Sequence, residues 1–331
     1  MKKTLALALA AGAVIGGLRA SELPRPDWAY AVPQPGDAEP PRHDDGRLWR
    51  LPGSDGQFTY DKIQGRGDGT PRVRIAPADW YPADHPKMPR IVAEGDNARR
   101  IVACALCHYP NGKGRPQNAG VAGLSAEYIV HQLHDMRDDL RHSSEPRKVN
   151  AQQMAGFAKA MTETEIHAAA DYFSSLRWSP WIKVVETRDV PKMRSSDGMW
   201  LPRGTGREPI GMRIIETPID PERTETLRDP HSGFIAYVPP GSVAKGRRMV
   251  TTGDGGKTLA CAICHGENLQ GVGSIPPIAA RSPSYVARQL YDIRSGARHG
   301  VMTGLMKPVV AKLGPEDVVD IAAYLASLPA H

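Results

Sequence analysis

Apolar positions return at the helical period in three places along the chain. Tyr128, Ile129, Leu133 and Met136 predict a helix over about 126–138. Ile166, Ala169, Ala170, Phe173 and Leu176 predict a second over 163–176. Thr162 opens it as N-cap, with Glu165 three residues on, a capping box. Val318, Ile321, Ala322, Leu325 and Leu328 predict a third, with Pro315 in its first turn, where a missing N–H costs little. Residues 91–105 read as a further helix that delivers two cysteines on its last turn. The apolar runs 181–185 and 234–238 read as short strands between Pro and Gly breaks. Residues 21–90 show no period. They are rich in Pro, Gly and charge, and Trp28, Trp49 and Trp80 punctuate them. Disordered chain is poor in aromatics, so an extended arm pinned by these rings is expected. At the start, Lys2 and Lys3 precede an apolar run from Leu5 to Leu18, and Leu18-Arg19-Ala20 precedes Ser21. This is the pattern of a secretory signal peptide over residues 1–20. The run is short for a membrane span, and contact with a membrane is expected only if the leader stays uncleaved.

A longer pattern overlies these elements. Cys104 and Cys261 are 157 residues apart, and so are Tyr128 and Tyr285, Leu133 and Leu290, and Arg137 and Arg294. Tyr172 and Tyr324 match at 152, as do Leu176 and Leu328. The second copy is therefore five residues shorter (157 − 152) between its middle and last helices. A repeat of this length means two whole domains rather than a solenoid. The expected order is an arm over 21–90, a first domain over 91–177, a connector over 178–242 and a second domain over 243–331. A connector so long and so apolar is expected to pack across both domains.

Each copy carries one pentapeptide, Cys104-Ala105-Leu106-Cys107-His108 and Cys261-Ala262-Ile263-Cys264-His265, and these use all four cysteines. C-x-x-C-H is the attachment signal for haem c. The thiols add to the two vinyl groups and the adjacent His becomes the proximal iron ligand. A zinc knuckle would need further ligands at metal spacing, and a thiol redox pair would not need the His. Two covalently bound haem c groups are thus expected, on Cys104 and Cys107 and on Cys261 and Cys264, with iron held by His108 and His265. With aromatics at only 6%, a haem would fill much of each core. The net charge of +6 falls to +3 without Lys2, Lys3 and Arg19, which gives a nucleic-acid partner no support.

A second axial ligand turns an open iron into an electron carrier. Met154 and Met306 match at 152, each expected in a similar loop ahead of its last helix, and are the expected sixth ligands. A thioether opposite His raises the reduction potential. Met136, Met161 and Met302 compete as gap-filling methionines, and His131, His134, His142 and His299 as nitrogen ligands.

Each half resembles a class I cytochrome c domain, and the pair resembles the two-lobed dihaem cytochromes c of bacterial periplasms. The residues that carry this are both C-x-x-C-H motifs, Gly112-Lys113-Gly114, the run Ala122 to Tyr128 leading into Gln132-Leu133, and Ala322 to Leu328. The resemblance implies a mostly α fold: two helical haem domains, joined here to an extended arm and a long connector of irregular chain and short strands. It implies His/Met ligation and one-electron transfer. The family usually has Pro before the middle helix, where its carbonyl accepts from the proximal His. Pro276 fits, whereas its counterpart is Ala119, whose backbone carbonyl can still accept. The expected function is a periplasmic carrier between a dehydrogenase donor and a cytochrome or terminal-oxidase acceptor, as the cytochrome subunit of an oxidoreductase complex. The alternative is a catalytic dihaem enzyme of peroxidase type, which needs one iron with a free sixth position. A thiosulfate-oxidising site with Cys as distal ligand is excluded for want of a fifth cysteine.

Overall fold

The computed structural model describes residues 23–67 and 73–330. The expected signal peptide lies outside the described residues. The first half is built from helices Ala126–Arg137, Val149–Ala160 and Glu163–Ser175 around the short helix Cys104–His108. Ser125 caps Ala126–Arg137 by accepting from the Tyr128 N–H, and Ser282 caps Pro283–Ser295 through Tyr285 in the same way. The Thr162–Glu165 capping box is present.

Two expectations are corrected. Residues 91–105 are not one helix. Arg90–Ala93 makes a single turn, Asn97–Arg99 a 3-10 turn, and a new helix begins at Cys104. The break is at Gly95, whose φ of +68° favours glycine, and where any Cβ would run into the Ile101 carbonyl. Asp96 and Ile101 then exchange backbone hydrogen bonds of 2.7 and 2.8 Å. The charged residues 94–100 form a turn rather than a helix face. Met154 does not lie in a loop before the last helix but on Val149–Ala160, a stretch of good helix formers. Its counterpart segment holds Gly304 and Pro308 and makes only a 3-10 turn, Val301–Met306, followed by Lys307–Val310.

The second half adds helix Ser242–Thr252, which crosses Pro315–Ser327. The crossing is close because position 246 is glycine: a Cβ there would overlap the Asp320 carbonyl and sit 2.8 Å from Tyr324 Cβ. Gly246→Ala is expected to cost about 3 kcal/mol, the upper range for overpacking a tight contact. Urea unfolding followed at the second haem would read it.

Between the halves, Ile182–Glu186 pairs parallel with Phe234–Val238, which pairs antiparallel with Ile215–Pro218. Ala236 and Val238 belong to the core of the second half. Asp189–Ser196 and Met199–Pro209 form a hairpin. Its turn residues Asp197 and Gly198 both have positive φ, as a tight two-residue turn requires. The arm is spread over several cores. Leu23, Ala29 and Tyr30 are buried in the second half, while Leu51, Ile63 and Trp80 gather on Leu227 of the connector. Trp80 Nε1 donates to the Leu227 carbonyl at 2.7 Å.

Glu145 ties the arm to the first half. Its side chain is fully buried and meets Arg147 at 2.8 Å and Arg25 at 3.1 Å. The Arg147 guanidinium is the main cause holding its carboxyl down to about 2, from an ordinary 4.5. A depressed folded-state pKa gives stability that is complete above about 4.5 and lost as pH falls through about 2. Glu145→Gln is expected to flatten that acid limb in a plot of thermal midpoint against pH. No helix among the described residues is long and apolar enough to cross a membrane.

Candidate functional site

Each pentapeptide opens on its own cleft. Cys104, Cys107 and His108 line a space of about 1370 Å³ with Leu124, Leu133 and Phe173. Cys261, Cys264 and His265 line one of about 1600 Å³ with Leu290, Leu313 and Leu325.

The two histidines are held alike. His108 Nδ1 donates to the Ala119 carbonyl at 2.8 Å, and His265 Nδ1 to the Pro276 carbonyl at 2.7 Å. Ala119 thus keeps the bond with no proline present. This fixes the tautomer and leaves Nε2 as the free lone pair. Burial lowers both imidazole pKa values, so each ring stays neutral and fit to ligate. Directly after each His the chain turns with positive φ, at Gly266 without strain and at Tyr109 (φ +63°) against the usual limit for a bulky residue. Gly114 and Gly271 then return an N–H to the carbonyls of His108 and His265, both at 2.8 Å.

As free thiols, Cys104 and Cys261 are pushed by burial up to about 12 and about 11. Neither has the lowered pKa that a thiol redox pair needs. Among the described residues no three His, Cys, Asp or Glu converge to hold a metal ion.

Met154 borders the first cleft and Met306 the second, each with the His of its own half. Met136 and Met161 also border the first, and Met302 the second. Of the rival histidines, His142 borders the first cleft and His131 the second. His134 is taken up by Glu163 at 3.0 Å, and His299 by the Gly296 carbonyl.

A buried polar cluster that sequence reading missed stands between the clefts. Arg141 donates to Gln132 of its own half and to Tyr285 and Gln289 of the other, at 2.9–3.1 Å. Arg298 donates to Gln289 of its own half and to Tyr128 and Gln132 of the other, at 2.7–3.1 Å. Arg141 and Arg298 are themselves 157 apart, and their backbones pair. The halves therefore meet about a pseudo-two-fold axis, as an isologous interface does. The shared shift of all three residue pairs was the available signal. Arg141 and Arg288 border the first cleft, and Arg281 and Arg298 the second. The buried Nε atoms of Arg281 and Arg298 have no hydrogen-bond partner among the described residues. Buried cations in this number fit a cofactor that brings carboxylates of its own, and these residues would hold them.

The sequence profile of cytochrome c matches residues 92–177 and 243–329, more than half of the chain. The chain belongs to the cytochrome c family. Among its relatives is the thiosulfate dehydrogenase electron acceptor of Thiomonas intermedia, 25% identical over 233 residues, 69% of this chain and 79% of that protein. Cytochrome c4 of Pseudomonas aeruginosa is 22% identical over 71% of this chain and 90% of its own length. A solved thiosulfate dehydrogenase, TsdBA of Marichromatium purpuratum, aligns at 27% identity with a TM-score of 0.47, covering 72% of this chain and 39% of that one. This cytochrome is a dihaem protein of class I with two covalently bound haem c groups, and it transfers electrons to and from redox partners. When bound, each haem supplies an iron that cycles between ferric and ferrous states by one electron. In each half the two cysteines of the motif would hold the haem by thioethers and the His after them would ligate its iron, oriented by the Ala119 or Pro276 carbonyl.

Proposed function

We propose that the protein is a periplasmic electron carrier with His108/Met154 and His265/Met306 as axial pairs, in haem domains spanning 91–177 and 243–331. The observation that carries this is the convergence of each methionine with the C-x-x-C-H motif of its own half on one cleft. A neutral soft ligand opposite a neutral imidazole favours the ferrous state, which suits a carrier that accepts electrons from a dehydrogenase. The name of the Thiomonas relative makes a thiosulfate dehydrogenase the first donor to test, and a downstream cytochrome or terminal oxidase is the acceptor. The arm and connector suit membership of an oxidoreductase complex.

The test is the ferric spectrum of the exported protein followed by mixing with a thiosulfate dehydrogenase and thiosulfate. Two low-spin haems with a thioether charge-transfer band, reduced only when the dehydrogenase is present, are expected. A high-spin haem that binds cyanide rapidly would replace this reading with the peroxidase type.

A further inference from the structure

The match to the family stops at residue 177 and resumes at 243, and the connector between them buries a carboxyl that neither haem domain supplies. Glu216 lies on strand Ile215–Pro218 and is 2% exposed. Its Oε2 accepts from the Ser282 hydroxyl at 2.7 Å and from the Ser284 N–H at 3.2 Å. Its Oε1 has no hydrogen-bond partner among the described residues. Asp229 of the same connector is as deeply buried but meets the Arg223 guanidinium at 2.7 Å. Glu216 has only a hydroxyl and an N–H. An ionised carboxylate buried with one bare oxygen is unfavourable, and such a group answers by binding a proton.

Glu216 lines a small cavity that adjoins both haem clefts. Asn118 and Tyr285 border this cavity and the first cleft, and Gly120, Arg281 and Tyr285 border it and the second. One carboxyl thus stands beside the two places where charge changes on reduction. The charged and titratable groups that face it are Arg288 and Tyr285 from helix Pro283–Ser295, Arg281 ahead of that helix, and Lys113 and Arg115 from the loop after the first motif. Arg115 is engaged by Asp197 at 2.6 Å, and Arg281 by the Gly120 and Ala122 carbonyls at 3.1 Å. The paired strand sets Ala236 opposite Glu216. On the neighbouring strand Met199–Pro209, Arg203 and Arg207 are exposed and Glu208 is taken by Arg213. Arg281 and Arg288 are also among the residues that would hold the haem carboxylates, so Glu216 shares its cations with the cofactors. Burial raises the Glu216 carboxyl above its ordinary 4.5, against the lowering by Ser282, Ser284 and Arg288. Lys113 and Trp181 in the lining are only part-buried, which leaves a side on which a proton can enter from solvent.

We propose that Glu216 is a redox-linked proton site: it takes a proton from solvent when a haem iron gains an electron and returns it when the iron is reoxidised, so that this chain couples electron transfer to proton uptake. The electron comes from the redox partner and reduces ferric iron to ferrous. The proton comes from water and turns the Glu216 carboxylate into a carboxylic acid, so the charge of the interior is unchanged. The electron's negative charge tightens the hold of a nearby carboxyl on its proton. By linkage, the bound proton raises the reduction potential to the same extent. The inference requires only that the haems change oxidation state, whichever axial ligands they carry.

The test is a potentiometric titration of the two-haem protein, read from haem absorbance at a series of pH values. The parent's potential should sit on an acid plateau, fall as pH rises through the Glu216 window, and level again. A proton bound about tenfold more tightly in the reduced protein, the low end of what a neighbouring charge does to a carboxyl, makes that drop about 59 mV for one electron. Glu216→Gln keeps an acceptor for Ser282 and Ser284 but cannot titrate. It should match the parent on the acid plateau and hold that value where the parent falls. Ser282→Ala removes a donor to the ionised form and should move the fall to higher pH, which a folding defect would not do. Haem carboxylates that titrate would give the same slope in all three proteins. Equal curves for the parent and Glu216→Gln would mean a carboxyl that stays protonated. A constant offset at every pH would mean one that stays ionised, as a fixed cap of helix Pro283–Ser295. Either result would overturn the proposal and leave the carrier reading and its axial pairs intact. If Glu216→Gln failed to load haem, a displaced fall in Ser282→Ala would support the site and an unmoved one would overturn it.

Discussion

Exported protein with both Cys261 and Cys264 replaced by Ser is expected to carry one haem per chain in place of two and to lose the fold of its second half. The cleft there is lined by Leu290, Ile293, Leu313, Ile321 and Leu325. These side chains are aimed at a group that the polypeptide does not itself supply, and the chain has few aromatics to take its place. Without the thioethers the haem is held only by His265 and its surroundings and is lost on unfolding, and the apolar lining then faces water. Each large side chain so exposed forfeits about 1.5–3 kcal/mol, and five together are comparable to the whole ~5–15 kcal/mol margin of an ordinary domain. Mass analysis should find one haem fewer, and far-UV circular dichroism should lose about half of its helical signal, the share of helix in that half. The first half keeps its own motif and core, so its haem should remain. A double variant that still carried two haems would refute the assignment of the motif.

Met306→Ala is expected to turn one of the two ferric haems high-spin, and Met154→Ala the other, with the thioether band halved each time. Met306→His should restore a low-spin iron but lower its potential on the order of 0.2 V, part of the ~0.8 V that axial ligands command. The sign follows from replacing a soft thioether by a stronger nitrogen donor that favours ferric iron. Met136, Met161 and Met302 border the same clefts, so their Ala variants are the controls. These are expected to lose packing stability and to keep spin state and potential. If Met161→Ala or Met302→Ala changed the spin state while Met154→Ala and Met306→Ala did not, the axial pairs would have to be redrawn.

Much of this architecture is legible in the order of residues alone. Helices 126–137 and 163–175 follow from i, i+3, i+4 apolar spacing and from caps within a few residues, all of them local. The runs 181–185 and 234–238 are recognisable as strands, but the pairing of Ile182–Glu186 with Phe234–Val238 joins residues some fifty positions apart and has no local signature. Residues 91–105 misled because their apolar positions suit a helix, while the Ile101 carbonyl that Gly95 must clear is set by the turn itself. Met154 could be matched to Met306 by spacing, but not its place on a helix, since the five-residue difference between copies hides a change of element.

By itself the sequence determined two C-x-x-C-H motifs, the two covalently bound haems they imply and a duplicated helical plan, because covalent spacing and helical period are properties of neighbouring residues. Only the tertiary structure decided that Arg141 and Arg298 interlock the halves, and that Glu216 of the connector lines a cavity adjoining both haem clefts. Both depend on contacts such as Glu216 with Ser282 and Gln132 with Arg298, between residues more than sixty positions apart. Such contacts arise from the packing of whole elements, and nothing within a short window of chain encodes them.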